Sequence, residues 1–94
     1  MSDGAVTVLI PASLRKLTGG EARVGADGAT LAELIESLEA RYPGIKERVC
    51  DPNGQLRRFV NVFVNGENIR FLAGLSTAVP DDATIFVLAA VSGG

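Results

Sequence analysis

The sequence contains no histidine and only one cysteine among its 94 residues. Without histidine the chain lacks the commonest general acid–base group at neutral pH and the commonest metal ligand. The single cysteine, Cys50, cannot form an internal disulfide, so we expect a reducing, cytoplasmic location. We interpret Cys50 as a structural thiol, because a free cysteine behaves as a small hydrophobe and no second cysteine stands near it.

The sequence also lacks a basic excess and a long hydrophobic run. Nine basic and eleven acidic residues give a net charge of −2, whereas nucleic-acid-binding proteins usually carry excess positive charge, so we expect no nucleic-acid partner. No run of about 18 apolar residues exists and the acidic N-terminus does not resemble a signal peptide, which argues against a membrane protein. The pair Asp81-Asp82 follows Pro80 in a predicted turn, and we predict no metal site there.

The hydrophobic content of 47% is sufficient for one packed domain. A domain of this length buries a modest core, and a deep catalytic cleft would remove much of it. We therefore expect function at a surface or at a terminus. Residues 1–90 are predicted to form the domain, and residues 91–94 a flexible C-terminal Gly-Gly tail.

Alternating β-formers predict a strand at residues 5–10 and an antiparallel return strand at residues 21–24. Thr30 and Glu33 have the spacing of a capping box. Apolar residues then recur at i, i+3, i+4 and i+7 from Leu31, which predicts a helix of about three turns. Pro43-Gly44 ends that helix.

The most regular alternation lies at residues 59–64 and predicts the strongest strand. Asn65-Gly66 predicts a type I′ turn into a short strand over residues 67–71, and residues 84–90 form the last strand. A single amphipathic helix has one apolar stripe to bury, and the sheet supplies a matching face. The sequence thus predicts an α+β fold, a ubiquitin-like β-grasp with a mixed four- to five-stranded sheet and one main helix packed across it.

Most of the chain, weakly before Leu31 and well from Phe59 onward, resembles the ThiS/MoaD family of ubiquitin-like sulfur carriers, which end in Gly-Gly. The resemblance is carried by three segments: Val64–Glu67, Asp81–Ile85 and Ala90–Gly94. Within the family, the chain is most similar to the CysO type, which serves cysteine synthesis. That similarity lies in three further segments: Arg58–Val62, Ile69–Phe71 and Gly74–Thr77.

The resemblance implies a carrier that is not itself an enzyme and binds no cofactor. A separate E1-like enzyme would use ATP and Mg²⁺ to adenylate the carboxylate of Gly94, which would then become a thiocarboxylate. A sulfur-accepting synthase, with cysteine synthase the preferred candidate, would take the sulfur. Gly93 would give the tail access to a narrow channel, because glycine has no Cβ.

Four apolar side chains lie opposite the valine-rich faces of the predicted strands, on the face that a single helix cannot cover. We predict that they bind partner enzymes; they are Phe59, Phe63, Phe86 and Leu88. Val91 and Ser92 would contact partners as part of the tail, whose four residues extend at most about 14 Å. The basic residues Lys46, Arg48, Arg57 and Arg58 are interpreted as solvated charge, with an acidic partner as the alternative.

Other functions remain open at this point. The sulfur could pass to thiamine thiazole, or the chain could be the small subunit of a molybdopterin synthase. Gly94 could instead form an isopeptide bond to a lysine, as ubiquitin does, since both classes begin with adenylation. A third class is a β-grasp interaction module whose tail is inert.

Overall fold

The computed structural model describes residues 6–89, and residues 1–5 and 90–94 lie outside that part. The described chain forms five strands and two α-helices, in the order β1 (Val6–Leu9), β2 (Arg23–Ala26), α1 (Leu31–Arg41), α2 (Ile45–Val49), β3 (Val60–Val64), β4 (Glu67–Asn68) and β5 (Thr84–Ala89). Short 3-10 helices span Ala12–Thr18, Ile69–Phe71 and Gly74–Ser76. No helix among residues 6–89 is long and apolar enough to cross a membrane.

The five strands form one mixed sheet in the order β2-β1-β5-β3-β4. β1 and β5 are parallel, and the other neighbouring pairs are antiparallel. The last strand therefore occupies the centre of the sheet, between β1 and β3. With α1 packed across one face, this arrangement confirms the predicted α+β fold.

The predicted capping box begins α1. The Thr30 hydroxyl accepts a hydrogen bond from the Glu33 backbone N–H at 3.3 Å, and the Glu33 carboxylate accepts one from the Ala29 N–H at 2.9 Å. In the standard capping box this carboxylate accepts from the N–H of the N-cap residue, here Thr30. The Glu33 carboxylate instead binds the N–H of the residue before it. The predicted apolar stripe is buried against the sheet: Leu31, Leu34, Ile35 and Leu38.

Period-two alternation places the core face of the sheet as predicted. Val60, Val62 and Val64 of β3 are buried, as are Ile85 and Val87 of β5. The side chains between them point to the opposite face, which α1 does not cover. Burial of the valine-rich face therefore fixes the strand register, because a slip of one residue would exchange the two faces.

Several strand bounds differ from the prediction: β1 ends at Leu9 and β3 begins at Val60, each one residue inside the predicted range, and two differences are larger. β2 begins at Arg23, two residues later than predicted, and the predicted strand over residues 67–71 ends at Asn68. The Asn68 side-chain oxygen accepts a hydrogen bond from the Arg70 backbone N–H at 2.9 Å, a local turn that competes with the sheet ladder. The turn directs Ile69 into the core, where it is fully buried, and the chain continues as a 3-10 helix.

Candidate functional site

The predicted chemical site lies at the C-terminus, and its tail residues fall outside the described part of the chain: Val91, Ser92, Gly93 and Gly94. Their roles stay predictions. The last described residue is Ala89, at the end of central strand β5 and paired with Val60 at the start of β3. β5 therefore ends in the middle of the sheet and not at an edge.

An apolar cluster lies on the uncovered face of the sheet. Phe63 and Phe86 are cross-strand partners on β3 and β5, with ring centroids 6.3 Å apart and planes inclined at 41°. Phe86 is 42% exposed and Leu88, two residues nearer the tail, is 41% exposed. Phe63 is half-buried. The structure thus brings three of the four predicted docking residues together on the face opposite α1.

Phe59 is placed differently from the other three. It lies in the turn before β3, so alternation along that strand does not govern its side chain. Phe59 is 54% exposed and lines a shallow groove together with Val60 and Ala89. It consequently borders the root of the tail, at the end of the sheet where β5 finishes.

Arg70, to which the sequence analysis gave no role, holds this end of the sheet together. One of its terminal guanidinium nitrogens, Nη2, donates to the carbonyl oxygens of Arg57 and Val60, each at 2.7 Å. Its Nε donates to the Asn61 side chain on the uncovered face at 3.2 Å. An arginine can bind several acceptors at once because its donors form a planar fork. Arg70 therefore fixes the segment that carries Phe59.

The most exposed large apolar side chain of residues 6–89 is Phe71, at 85%. Its neighbour Leu72 is 46% exposed. This pair is absent from the predicted sites, because the predicted strand over residues 67–71 includes Phe71. Alternation cannot indicate the direction of a side chain in a 3-10 helix, so no sequence signal identified it.

Cys50 is buried, with 4% of its surface exposed. Burial raises the pKa of its thiol, which leaves less of the nucleophilic thiolate at neutral pH. The aspartate pair lies where the sequence placed it, in a turn after Pro80, and Asp82 has a positive φ of 60°. Among residues 6–89 no group of three or more cysteine and carboxylate side chains could hold a metal ion.

We expect the variant Cys50→Ala to give an undiminished yield of C-terminal thiocarboxylate. The thiol is buried and poorly ionised, so it is unsuited to carry sulfur. The substitution removes the buried sulfur atom and should lower the unfolding free energy by about 1 kcal/mol. Mass spectrometry measures the yield, and chemical denaturation measures the stability. A folded variant without thiocarboxylate would show that Cys50 takes part in the transfer.

Comparison with known proteins agrees with the resemblance found in the sequence. The ThiS family model matches residues 8–94. The sulfur carrier protein CysO of Mycobacterium tuberculosis is 52% identical over 91 residues, covering 95% of this chain and 98% of that protein.

Two solved structures are similar across nearly the whole chain. The crystal structure of the Amycolatopsis orientalis BexX/CysO complex contains a chain that is 50% identical, with a TM-score of 0.89 and coverage of 96% of this chain and 100% of that one. The solution structure of small archaeal modifier protein 1 from Methanosarcina acetivorans is 30% identical, with a TM-score of 0.82 and full coverage of both chains.

Proposed function

The chain belongs to the ThiS family, and from this membership we propose that it is a cytoplasmic sulfur carrier that acts as the co-substrate of separate enzymes. The observation that supports the proposal best is the extent of the family match, which runs through the Gly-Gly ending to Gly94. A similar mycobacterial protein, 52% identical, is named as a sulfur carrier.

The proposed chemistry takes place on the carboxylate of Gly94. A carboxylate is a poor acyl donor, because neither oxygen is a good leaving group. A separate adenylating enzyme with ATP and Mg²⁺ would attach AMP to one oxygen and release pyrophosphate. Hydrosulfide released by a sulfur donor would then attack the acyl carbon and expel AMP, and loss of a proton would leave a thiocarboxylate.

The partner enzymes are proposed to dock on the uncovered face of the sheet. Phe63, Phe86 and Leu88 offer apolar surface there, and aromatic side chains commonly anchor protein interfaces. Docking of the folded body supplies binding free energy that offsets the ordering of the glycine-rich tail. The similar structure from Amycolatopsis orientalis is a complex with a protein partner, BexX, which supports a role in binding proteins.

The proposed destination of the sulfur is cysteine synthesis, with a cysteine synthase as acceptor. The support is the CysO-type similarity over 95% of the chain. Thiamine thiazole and molybdopterin are the competing destinations. Incubating the thiocarboxylate form with each candidate synthase and its substrate would separate them, because only the true acceptor would consume the thiocarboxylate as its sulfur-containing product forms.

Protein modification is the second candidate, because small archaeal modifier protein 1 of Methanosarcina acetivorans is similar over its full length. In this case the acyl-adenylate would react with a lysine amine, and an isopeptide bond would join Gly94 to another protein. A ladder of conjugates on a denaturing gel would support modification. Its absence, together with an accumulating thiocarboxylate, would support the carrier.

The proposed function is tested by the intact mass of the protein after incubation with its adenylating enzyme, ATP, Mg²⁺ and a sulfur donor. We expect a mass increase equal to the replacement of one oxygen by sulfur. The same mixture without ATP should give the unmodified mass. An unmodified protein in the complete mixture, with an enzyme shown to be active on another carrier, would contradict the proposal.

A further inference from the structure

A groove lined by three arginines borders the root of the tail. Arg48 at the end of α2 and Arg57 and Arg58 before β3 line it, and Ala89 of β5 forms part of the same surface. All three arginines are exposed. This concentration of positive charge contrasts with the chain as a whole, whose net charge is −2.

The arginines are not neutralised by acidic side chains within residues 6–89. The only ion pair in that part of the chain joins Lys46 to Glu36 and involves none of the three arginines. Asp51 also lines the groove, and its carboxylate accepts hydrogen bonds from two backbone N–H groups of its own loop, at 2.9 and 3.0 Å. Glu47 lies beside Arg48 and Arg57 without pairing with either. Positive charge therefore remains available at the groove.

The backbone around the arginines is held in place. The Glu39 carboxylate accepts hydrogen bonds from the backbone N–H groups of Gly44 and Lys46, which fixes the start of the helix that carries Arg48. These bonds lower the pKa of Glu39, so the carboxylate stays ionised at neutral pH. The helix end is joined to the next segment, because Arg57 Nε donates to the Glu47 carbonyl at 2.7 Å.

The side chains of Arg48 and Arg58 differ from that of Arg57. Neither makes a hydrogen bond within residues 6–89, while Arg57 uses its Nε on the backbone. The two guanidinium groups are thus free to bind an external ligand. A guanidinium binds carboxylates with two parallel hydrogen bonds, which gives geometric selectivity as well as charge attraction.

We propose that this arginine groove binds an acidic segment of the adenylating enzyme that receives the tail. The inference rests on the proposed function. A partner that encloses residues 90–94 must approach the surface at Ala89, and the groove is part of that surface. Phe59, at the same end of the sheet, lines the same groove, so an exposed aromatic side chain adjoins the arginines. Complementary charge there increases the rate of association and sets the orientation of the carrier.

The test measures ATP–pyrophosphate exchange by the adenylating enzyme as a function of carrier concentration. We expect Arg48→Glu and Arg58→Glu each to raise the KM for the carrier about tenfold at 0.1 M salt, with kcat nearly unchanged. The double variant should raise KM about a hundredfold. In 1 M salt the differences should shrink several-fold, because the Debye length falls from about 10 Å to about 3 Å.

Arg41→Glu is the control for net charge, since it makes the same change at the end of α1, outside the groove. Arg41 Nη1 donates to the Gly25 carbonyl at 2.8 Å, so the melting temperature of this variant is compared as well. Its KM should stay within about twofold of the unmodified protein at 0.1 M salt. Thermal melting of all variants ensures that folded proteins are compared. An unchanged KM in the double variant, an equal rise in Arg41→Glu, or a loss confined to kcat would overturn the proposal. A wild-type chain that supports no exchange would contradict the proposed function instead.

Discussion

Deleting Gly93 and Gly94 is expected to abolish ATP–pyrophosphate exchange and leave the folded domain intact. The deletion moves the terminal carboxylate back by about 7 Å, so it can no longer reach the site that adenylates it. The buried core lies within residues 6–87, so the melting temperature should fall by less than about 4 °C. Exchange assays and thermal melting, followed by circular dichroism, measure the two effects.

Adding two alanines after Gly94 provides the matched control. This variant keeps both glycines and displaces the carboxylate in the opposite direction, so exchange should again be lost without a change in stability. Loss in both variants would show that the carboxylate must lie at one position. A tail that only needed to be long enough would keep its activity when lengthened. Exchange retained by the deletion would contradict the assignment of the reaction to Gly94. A large fall in its melting temperature would contradict the prediction that the domain folds without these two residues.

The variant Phe86→Ala is expected to weaken binding to the adenylating enzyme about 30-fold, which corresponds to about 2 kcal/mol for an interface anchor. Phe86 is 42% exposed and contacts the Phe63 ring on the uncovered face. Loss of this cross-strand contact should lower the unfolding free energy by only about 1 kcal/mol. Calorimetric titration measures the affinity, and chemical denaturation measures the stability.

The adjacent residue Ile85 is the control, because it lies on the same strand but is fully buried. Ile85→Ala should lower the unfolding free energy by about 2–5 kcal/mol, and the fraction that remains folded should bind normally. The two variants therefore affect different equilibria. Normal binding by Phe86→Ala would show that the partner uses another surface, of which the exposed Phe71 and Leu72 are the most apolar alternative.

Much of the fold could be predicted because single residues or simple periodicities determine it. The valine alternation of β3 fixed which face of the sheet is buried, and Thr30 marked the start of α1. Asn65 and Gly66 both adopt positive φ, of 49° and 92°, as the predicted type I′ turn requires. These signals are local, so they predict the elements without knowledge of the tertiary contacts.

The remaining features depend on contacts between distant parts of the chain. The predicted strand over residues 67–71 was wrong beyond Asn68, because a side-chain hydrogen bond to Arg70 and burial of Ile69 compete with strand pairing. The arginine groove joins α2, the segment before β3 and the end of β5. Sequence spacing does not reveal that Arg48 and Arg58 face the same surface, so the sequence alone favours solvated charge and leaves an acidic partner as the alternative.

The central claim, that sulfur is carried on the C-terminal carboxylate, is tested most directly by locating the sulfur within the activated protein. Proteolysis of the protein after the complete reaction, followed by tandem mass spectrometry of the fragments, assigns the added mass to a residue. The account predicts that one oxygen is replaced by sulfur at Gly94 and that the fragment containing Cys50 keeps its unmodified mass. Sulfur found on Cys50, with an unmodified Gly94, would contradict it.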